Sequence, residues 1–182
     1  MGTIFVDNLE PQSGTSLTLG ASGDTISTAS GALQSNFLYP AFEAYMGSDQ
    51  TISNNAYTKA NINTELFDTD GKYDTSTYRF TPTIAGKYFV YGSLRFETEA
   101  SQLLLNSIAI YKNGSIYSER TIDPRNNQGL QFSVDVSTTV VMDSDDYLEL
   151  YGKIYYGGGS TIKIAAAVSV KSSNFGAYRI GT

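Results

Sequence analysis

From Phe37 onward a two-residue period of apolar positions strengthens along the chain. Gln131–Val136 puts Phe132, Val134 and Val136 on one face. Tyr147–Tyr155 turns Leu148, Leu150 and Ile154 inward, with Glu149 and Lys153 outward. Thr161–Lys171 places Ile162, Ile164, Ala166, Val168 and Val170 on one face and Lys163, Ser169 and Lys171 on the other. A period of two is that of half-buried antiparallel strands. Asn113-Gly114, between Ile108–Lys112 and Ser115–Arg120, is a type I′ hairpin signal. Asp70-Gly71 and Gly157-Gly158-Gly159 mark further turns. No stretch sustains a helical period. The pattern predicts an all-β chain: an antiparallel jelly-roll sandwich of about ten strands.

Residues 13–35 differ. They are small or polar apart from Leu17, Leu19, Ile26 and Leu33. Two short alternating pieces, Thr15–Leu19 and Asp24–Ser27, flank a turn at Gly20-Ala21-Ser22-Gly23. Such thin strands cannot bury a core by themselves. The segment is either a flexible linker or a short β-rich stalk in which three chains share one thin core. The predicted division is an attachment or stalk segment, 1–35, and a jelly-roll head, 36–182.

Of the 182 residues, 41% are hydrophobic and 16% charged, enough for one sizeable core. With no His and no Cys, a Ser-His-Asp triad, a Cys-His pair, a disulfide and a zinc-thiolate site are impossible. No phosphate-binding loop or dinucleotide fingerprint appears, and no segment forms an obvious cleft between carboxylates. The chain is not expected to be an enzyme. The net charge is −6, and the first basic residue is Lys59, so no basic patch suggests a nucleic-acid partner. The N-terminus lacks the pattern of a signal peptide, and no apolar run approaches the roughly 18 residues needed to span a bilayer. Membrane insertion is not expected.

Several short runs look familiar together. Ala41-Phe42-Glu43-Ala44 resembles the first strand of the globular head shared by the complement first-component recognition protein and tumour necrosis factor. Thr64-Glu65-Leu66-Phe67-Asp68 with Gly71-Lys72-Tyr73-Asp74 resembles that family's F-D … Y-D segment. Arg79-Phe80-Thr81-Pro82 with Ala85-Gly86-Lys87-Tyr88-Phe89-Val90 is similar to its R-F-T-x-P-x-x-G-x-Y-x-F signature. Ile110–Gly114, Val141–Leu150 and Phe175–Ile180 are similar to its L-x-K-N-G, L-x-x-G-D-x-V-x-L and closing F-S-G-F-L-L segments. The likeness covers 40–182 in order. It departs in lacking a collagen-like stalk and in the added strand at Thr161–Lys171. The leader Ser13–Ile26 and the ending Phe175–Gly181 resemble structural proteins of marine phages, cyanophages especially.

The resemblance implies a tight homotrimer and a virion protein assembled in the host cytoplasm. The leading function is a trimeric appendage, a tail fibre or spike. Its head would contact a host-surface glycan or protein, and residues 1–35 would join other virion proteins. The alternative is an architectural capsid decoration, head fibre or neck protein without a ligand. A secreted bacterial lectin fits less well, given the missing signal peptide. Tyr88, Tyr111, Tyr117, Tyr147 and Tyr151, with Tyr155, are the aromatic candidates for a surface buried around a three-fold axis; ordinary tyrosines on a solvated sheet are the alternative.

Two acidic clusters, Asp68/Asp70/Asp74 and Asp143/Asp145/Asp146, are spaced as calcium ligands can be, although Arg79 at the twelfth position from Asp68 excludes an EF-hand. Plain acidic turns are the other reading; no cofactor is expected beyond calcium at these clusters. Arg125, Asn126 and Asn127 present donors suited to sugar hydroxyls or carboxylates, and Tyr155 and Tyr156 present rings on which sugars stack. Plain connections are the other, and the favoured, reading of both loops.

Overall fold

The computed structural model describes residues 9–11, 13–14, 17, 19–25, 39–99, 103–126, 129–158 and 161–181. The chain divides into two compact units, Met1–Ser35 and Asn36–Thr182. In the first, the chain turns at Gly20–Gly23, where both glycines hold positive φ, 77° and 95°. Asp24 closes this turn: its N–H donates to the Ala21 carbonyl at 3.0 Å, and its carboxylate accepts the Ala21 N–H at 2.7 Å. Most of the two alternating pieces around it lies outside the described residues.

The second unit is all β among the described residues. In chain order the strands are β1 (Ala41–Tyr45), β2 (Gln50–Thr51), β3 (Thr58–Lys59), β4 (Thr64–Asp68), β5 (Tyr73–Asp74), β6 (Arg79–Phe80) and β7 (Gly86–Thr98). Then follow β8 (Leu103–Lys112), β9 (Ser115–Ile122), β10 (Gln131–Met142), β11 (Leu148–Tyr156), β12 (Ile162–Ala165) and β13 (Asn174–Gly181). Four of the thirteen are two-residue pieces, which accounts for the excess over about ten. A seven-stranded sheet runs β4-β1-β13-β7-β10, with β12 continuing the β13 line beside β7 and carrying β2. A six-stranded sheet runs β5-β6-β11-β8-β9, with β3 also paired to β11. All pairings are antiparallel, as a jelly roll requires.

The alternating pattern explains the layers. Tyr88, Val90, Leu94 and Phe96 of β7 face Ile108, Ile110, Leu148, Leu150 and Ile154 across one core. Phe42, Tyr73, Phe80, Phe175 and Tyr88 pack as an aromatic cluster, with Phe42 stacked on both Tyr73 and Phe80 at 4.5 Å. Gly92 fits because a Cβ there would lie 2.7 Å from a Leu150 methyl. The Asn113-Gly114 hairpin forms with positive φ at both residues, 52° and 78°, as a type I′ turn demands.

Two sequence expectations fail locally. The strand expected over Thr161–Lys171 stops at Ala165. Beyond it, Ala167 and Lys171 adopt positive φ and the chain turns, so Val168 and Val170 are exposed despite their alternation. Glu149 does point away from the core, but it is 2% exposed, covered by partners that the period-two pattern cannot show.

Antiparallel pairing sorts the loops into two ends. The 98–103, 122–131 and 156–162 connections gather at one end of the sandwich. Pro40, the Asn113-Gly114 hairpin, the 143–147 loop and Gly181 lie at the other.

Candidate binding surfaces

The end remote from Pro40 carries the candidate recognition loops. Arg125 is folded back on Asp123: its Nε donates to both carboxylate oxygens, at 2.7 and 2.9 Å, and its Nη2 pairs with one of them. This contact holds the Asp123 carboxyl below its ordinary value and raises the Arg125 guanidinium. Arg125 is still solvent-facing, beside Asn126, and Tyr155 is near enough to act on its charge. Asn127 lies outside the described residues. Tyr155 is 40% exposed, but Tyr156 is not a platform for a ligand: it is 4% exposed, in the core. Its backbone is gripped by the Asn54 amide, which donates to the Tyr156 carbonyl and accepts its N–H, both at 2.9 Å.

The acidic clusters do not converge. Asp68 accepts the N–H groups of Asp70 and Tyr73 at 3.2 and 2.6 Å, closing the turn at Gly71. Asp74 is pulled down to about 2 by hydrogen bonds from the hydroxyls and N–H groups of Ser76 and Thr77. Asp146 accepts from Asn113 Nδ2 at 2.6 Å, the Asp143 N–H at 2.7 Å and Lys112 Nζ at 2.7 Å. Asp143 and Asp145, expected to share a cation with Asp146, are both exposed on the turn, whereas Asp146 is buried against Lys112 and Asn113. The turn between β10 and β11 thus separates the Asp145 carboxylate from the inward one instead of gathering them. Among the described residues no three acidic groups are placed to share a metal. Asp68, Asp74 and Asp146 cap turns, and the calcium ligand sets expected from spacing, Asp68/Asp70/Asp74 and Asp143/Asp145/Asp146, do not assemble.

The outward face of the six-stranded sheet carries a tyrosine strip. Tyr111 and Tyr151 stack at 3.9 Å, Tyr57 meets Tyr111 edge-on at 6.0 Å, and the Tyr57 hydroxyl pairs with Glu119. Beside the strip, Glu149 accepts from Lys59 Nζ at 3.0 Å and from Arg79 Nε and Nη2 at 3.1 and 2.9 Å. Arg79 also lies over the Tyr147 ring, 3.7 Å from its centre. Burial pushes the Glu149 carboxyl up, but the two cations outweigh it and hold it below the ordinary carboxylate value.

The outward face of the seven-stranded sheet is less complete. Phe89, Tyr91 and Tyr178 form a half-buried aromatic group, with Phe89 5.4 Å from Tyr178 and 6.2 Å from Tyr91. Tyr91 lies across Gly176, where a Cβ would sit 2.4 Å from its ring, and donates to Glu43 at 2.9 Å. Phe67, Val141 and Ile180 are exposed. A cleft of about 480 Å³ opens among Tyr91, Ser93, Arg120, Asp135, Ser137 and Asn174.

Of the five interface tyrosines, Tyr88 is wholly buried in the core, its hydroxyl donating to the Ile84 carbonyl at 2.6 Å, and burial pushes it up to about 12. It faces no partner. Tyr111 and Tyr151 belong to the six-stranded sheet, Tyr147 lies just before β11 under the Arg79 guanidinium, and Tyr117 bridges the sheet edges, its hydroxyl reaching the Thr139 carbonyl at 3.2 Å. The reading of the sequence missed Phe89, Tyr91 and Tyr178. The run Tyr88-Phe89-Val90-Tyr91 is apolar on both faces; its phase is set by the rest of the strand, where Leu94 and Phe96 are buried and Ser93, Arg95 and Glu97 alternate with them.

No family model matches the chain. It is 31% identical over 109 residues to the phage-like element PBSX protein XkdV of Bacillus subtilis (strain 168), covering 57% of this chain and 16% of that protein. It is 27% identical over 128 residues to the uncharacterized protein YqcC of the same strain, covering 68% of this chain and 34% of that one. The chain thus spans about a sixth and a third of these curated relatives. The globular domain of zebrafish complement 1qA has the same fold: TM-score 0.53, 13% identity, covering 78% of this chain and 96% of that one. So do murine APRIL (0.55, 7%, covering 76% and 97%) and Eiger TNF from S. frugiperda (0.52, 9%, covering 78% and 92%). The second unit therefore has the jelly-roll fold of the complement 1q and tumour necrosis factor type.

Proposed function

We propose that this chain is a structural component of a phage particle, the head of a homotrimeric appendage that contacts a surface through the end remote from Pro40. The relation to the phage-like element protein XkdV carries the reading. The fold supports it, because the seven-stranded sheet turns an aromatic face outward that a second copy would cover. Three copies would present three sets of the Arg125, Asn126 and Tyr155 loops, so weak single contacts would add through avidity. Residues 1–35 would join the head to the rest of the particle. The work is binding and assembly, without a chemical step.

Light scattering on the full chain tests the assembly: a homotrimer has a mass of about 59 kDa, three times 19.7 kDa. A mass of one chain at micromolar concentration refutes the trimer. Fluorescent full-length protein on intact bacterial cells tests adhesion, with Arg125→Ala/Tyr155→Ala as the comparison. Cell binding that falls in the variant supports contact through this end. A trimer that labels no cells would favour the architectural role of a decoration or neck piece.

A further inference from the structure

β12 and β13 lie end to end along the same side of β7. Ala165 pairs with Arg95 and Asn174 pairs with Ser93, yet eight residues, Ala166–Ser173, connect them. The chain leaves the strand line and returns to it. Both ends of this excursion are pinned. The Ala166 N–H donates to the Asp49 carboxylate at 2.9 Å, the Ser173 hydroxyl donates to the Ala165 carbonyl at 2.7 Å, and the Met46 N–H reaches the Ser173 carbonyl at 2.9 Å. Inside it, the Val170 N–H donates to the Ala167 carbonyl at 3.0 Å.

The tip is unusual in two ways. Ala167 and Lys171 hold φ of 40° and 49°, a region that residues with a Cβ rarely adopt. Between them, Val168 and Val170 are 46% and 70% exposed. A turn with no external duty would favour Gly or Asn at the strained positions and polar residues at the tip.

The excursion stands on the outward face of the seven-stranded sheet. Asn174, on that face, donates its amide to the Lys171 carbonyl at 3.0 Å, and the Lys171 ammonium lies 5.7 Å from the outward-facing Tyr45 ring. Next to the tip, and sharing Asn174 with it, the same face holds the cleft of about 480 Å³, which runs from Asn174 past Tyr91 and Ser93 to Asp135 and Arg120. Asp135 makes no ion pair among the described residues. One face therefore carries a basic, apolar protrusion and, beside it, a recess walled by one carboxylate, Asp135, and one guanidinium, Arg120. Different patches that complement each other join copies head to tail, and such contacts close into a ring when the rotation allows.

We propose that the Val168–Lys171 tip seats in the Tyr91–Asp135 cleft of a second copy of this chain. Lys171 meets Asp135, Arg120 is placed for the carbonyl oxygens of the tip, and three such contacts close the homotrimer. This rests on the trimeric reading above.

The chain has no cysteine, so no native thiol competes with an engineered pair. The full chain carrying Ser169→Cys and Ser137→Cys, oxidised and run on a non-reducing gel, should give covalent dimers and trimers, while Ser169→Cys alone should not give trimers. Lys171→Glu and Asp135→Lys should each weaken self-association about tenfold, and the double reversal should recover it. Far-UV circular dichroism checks that each variant folds. A wild-type monomer by light scattering overturns both this contact and the trimer. A wild-type trimer overturns the contact alone if the cysteine pair stays monomeric on the gel, if the charge variants associate normally, or if the double reversal fails to recover association.

Discussion

The two outward faces of the sandwich use the same residue types in different ways. On the six-stranded sheet, Tyr111 and Tyr151 cover each other, the Tyr57 hydroxyl pairs with Glu119, and Glu149 is enclosed by Lys59, Arg79 and Tyr151. Aromatic rings and charges there are satisfied within one chain. On the seven-stranded sheet, Phe89, Tyr91 and Tyr178 touch one another but stay half exposed, and Asp135 stands in a cleft without an ion-pair partner among the described residues. Aromatic content alone therefore does not identify an interface; how far the face is satisfied internally does. Substitutions on the first face should change stability and leave the oligomeric mass alone. Those on the second should change the mass first.

The sharpest break of this comparison is Glu149→Ala. It leaves Lys59 and Arg79 facing each other without their shared anion. Because both cations are about a third exposed, the full cost of a buried pair is reduced to about 2 kcal/mol. Urea unfolding should show that loss with no change in mass. The same group sets a pH dependence. Its folded-state pKa lies below the ordinary 4.5. Its contribution is therefore full above that value and declines as the pH falls through the folded-state value. Glu149→Gln should flatten the acid limb of the stability curve, and an unchanged acid limb would remove Glu149 from the account.

Gly176→Ala comes next. The new methyl would sit 2.4 Å from the Tyr91 ring, which must swing off the sheet and release Glu43. The ring is at the end of a flexible side chain, so a cost of about 1 kcal/mol in stability is expected. The larger change should be in mass, because the displaced ring roughens the face assigned to the second copy. If the variant loses more than Glu149→Ala in unfolding yet keeps its mass, the two faces have been assigned the wrong way round.

Smaller still is the stacking of Tyr111 on Tyr151: in Tyr111→Ala it should account for about 1 kcal/mol or less of the loss, the remainder being contact area, with no effect on mass. A fall in mass here would return the interface to the tyrosines that the sequence first suggests.

Much of the sandwich was legible because two-residue periodicity and turn chemistry are local. The Asn113-Gly114 hairpin, the turn at Gly71 and the inward residues of β10 and β11 fall where the pattern puts them. What alternation cannot carry is the point at which a strand leaves its sheet. From Ile162 to Val170 every second residue is apolar, and the departure at Ala166 depends on Asp49, more than a hundred residues earlier. The acidic clusters misled for a related reason. Spacing places carboxylates near one another, but in Asp68, Asp74 and Asp146 the nearest N–H, hydroxyl and ammonium groups satisfy them first. Asp145 shows the other half of the problem: it is next to Asp146 in the chain, yet the turn leaves it at the surface while its neighbour goes inside. Surface aromatics were the least legible, because facing, stacking and burial depend on partners from distant strands. Tyr88 and Tyr91 differ by three positions and lie on opposite sides of one sheet.

Tyr91→Phe makes the finest cut. It keeps the ring over Gly176 and removes one hydroxyl, whose partner Glu43 is partly exposed and can turn to water. Net hydrogen-bond contributions of this kind are about 0.5–1 kcal/mol, so little change in unfolding is expected. Assembly is another matter. Burial and the neighbouring Glu43 raise the Tyr91 phenol, so it stays protonated and donates to Glu43 across the physiological range. Covered by a second copy, that pair would lose the water that substitutes for the hydroxyl, and the cost of Tyr91→Phe would grow with desolvation. A dissociation constant that rises several-fold while the unfolding midpoint stays fixed would place Tyr91 at the contact between copies. Equal, small effects on both would mean that the Tyr91–Glu43 pair is as wet in the assembly as in the single chain, and that the copies meet elsewhere.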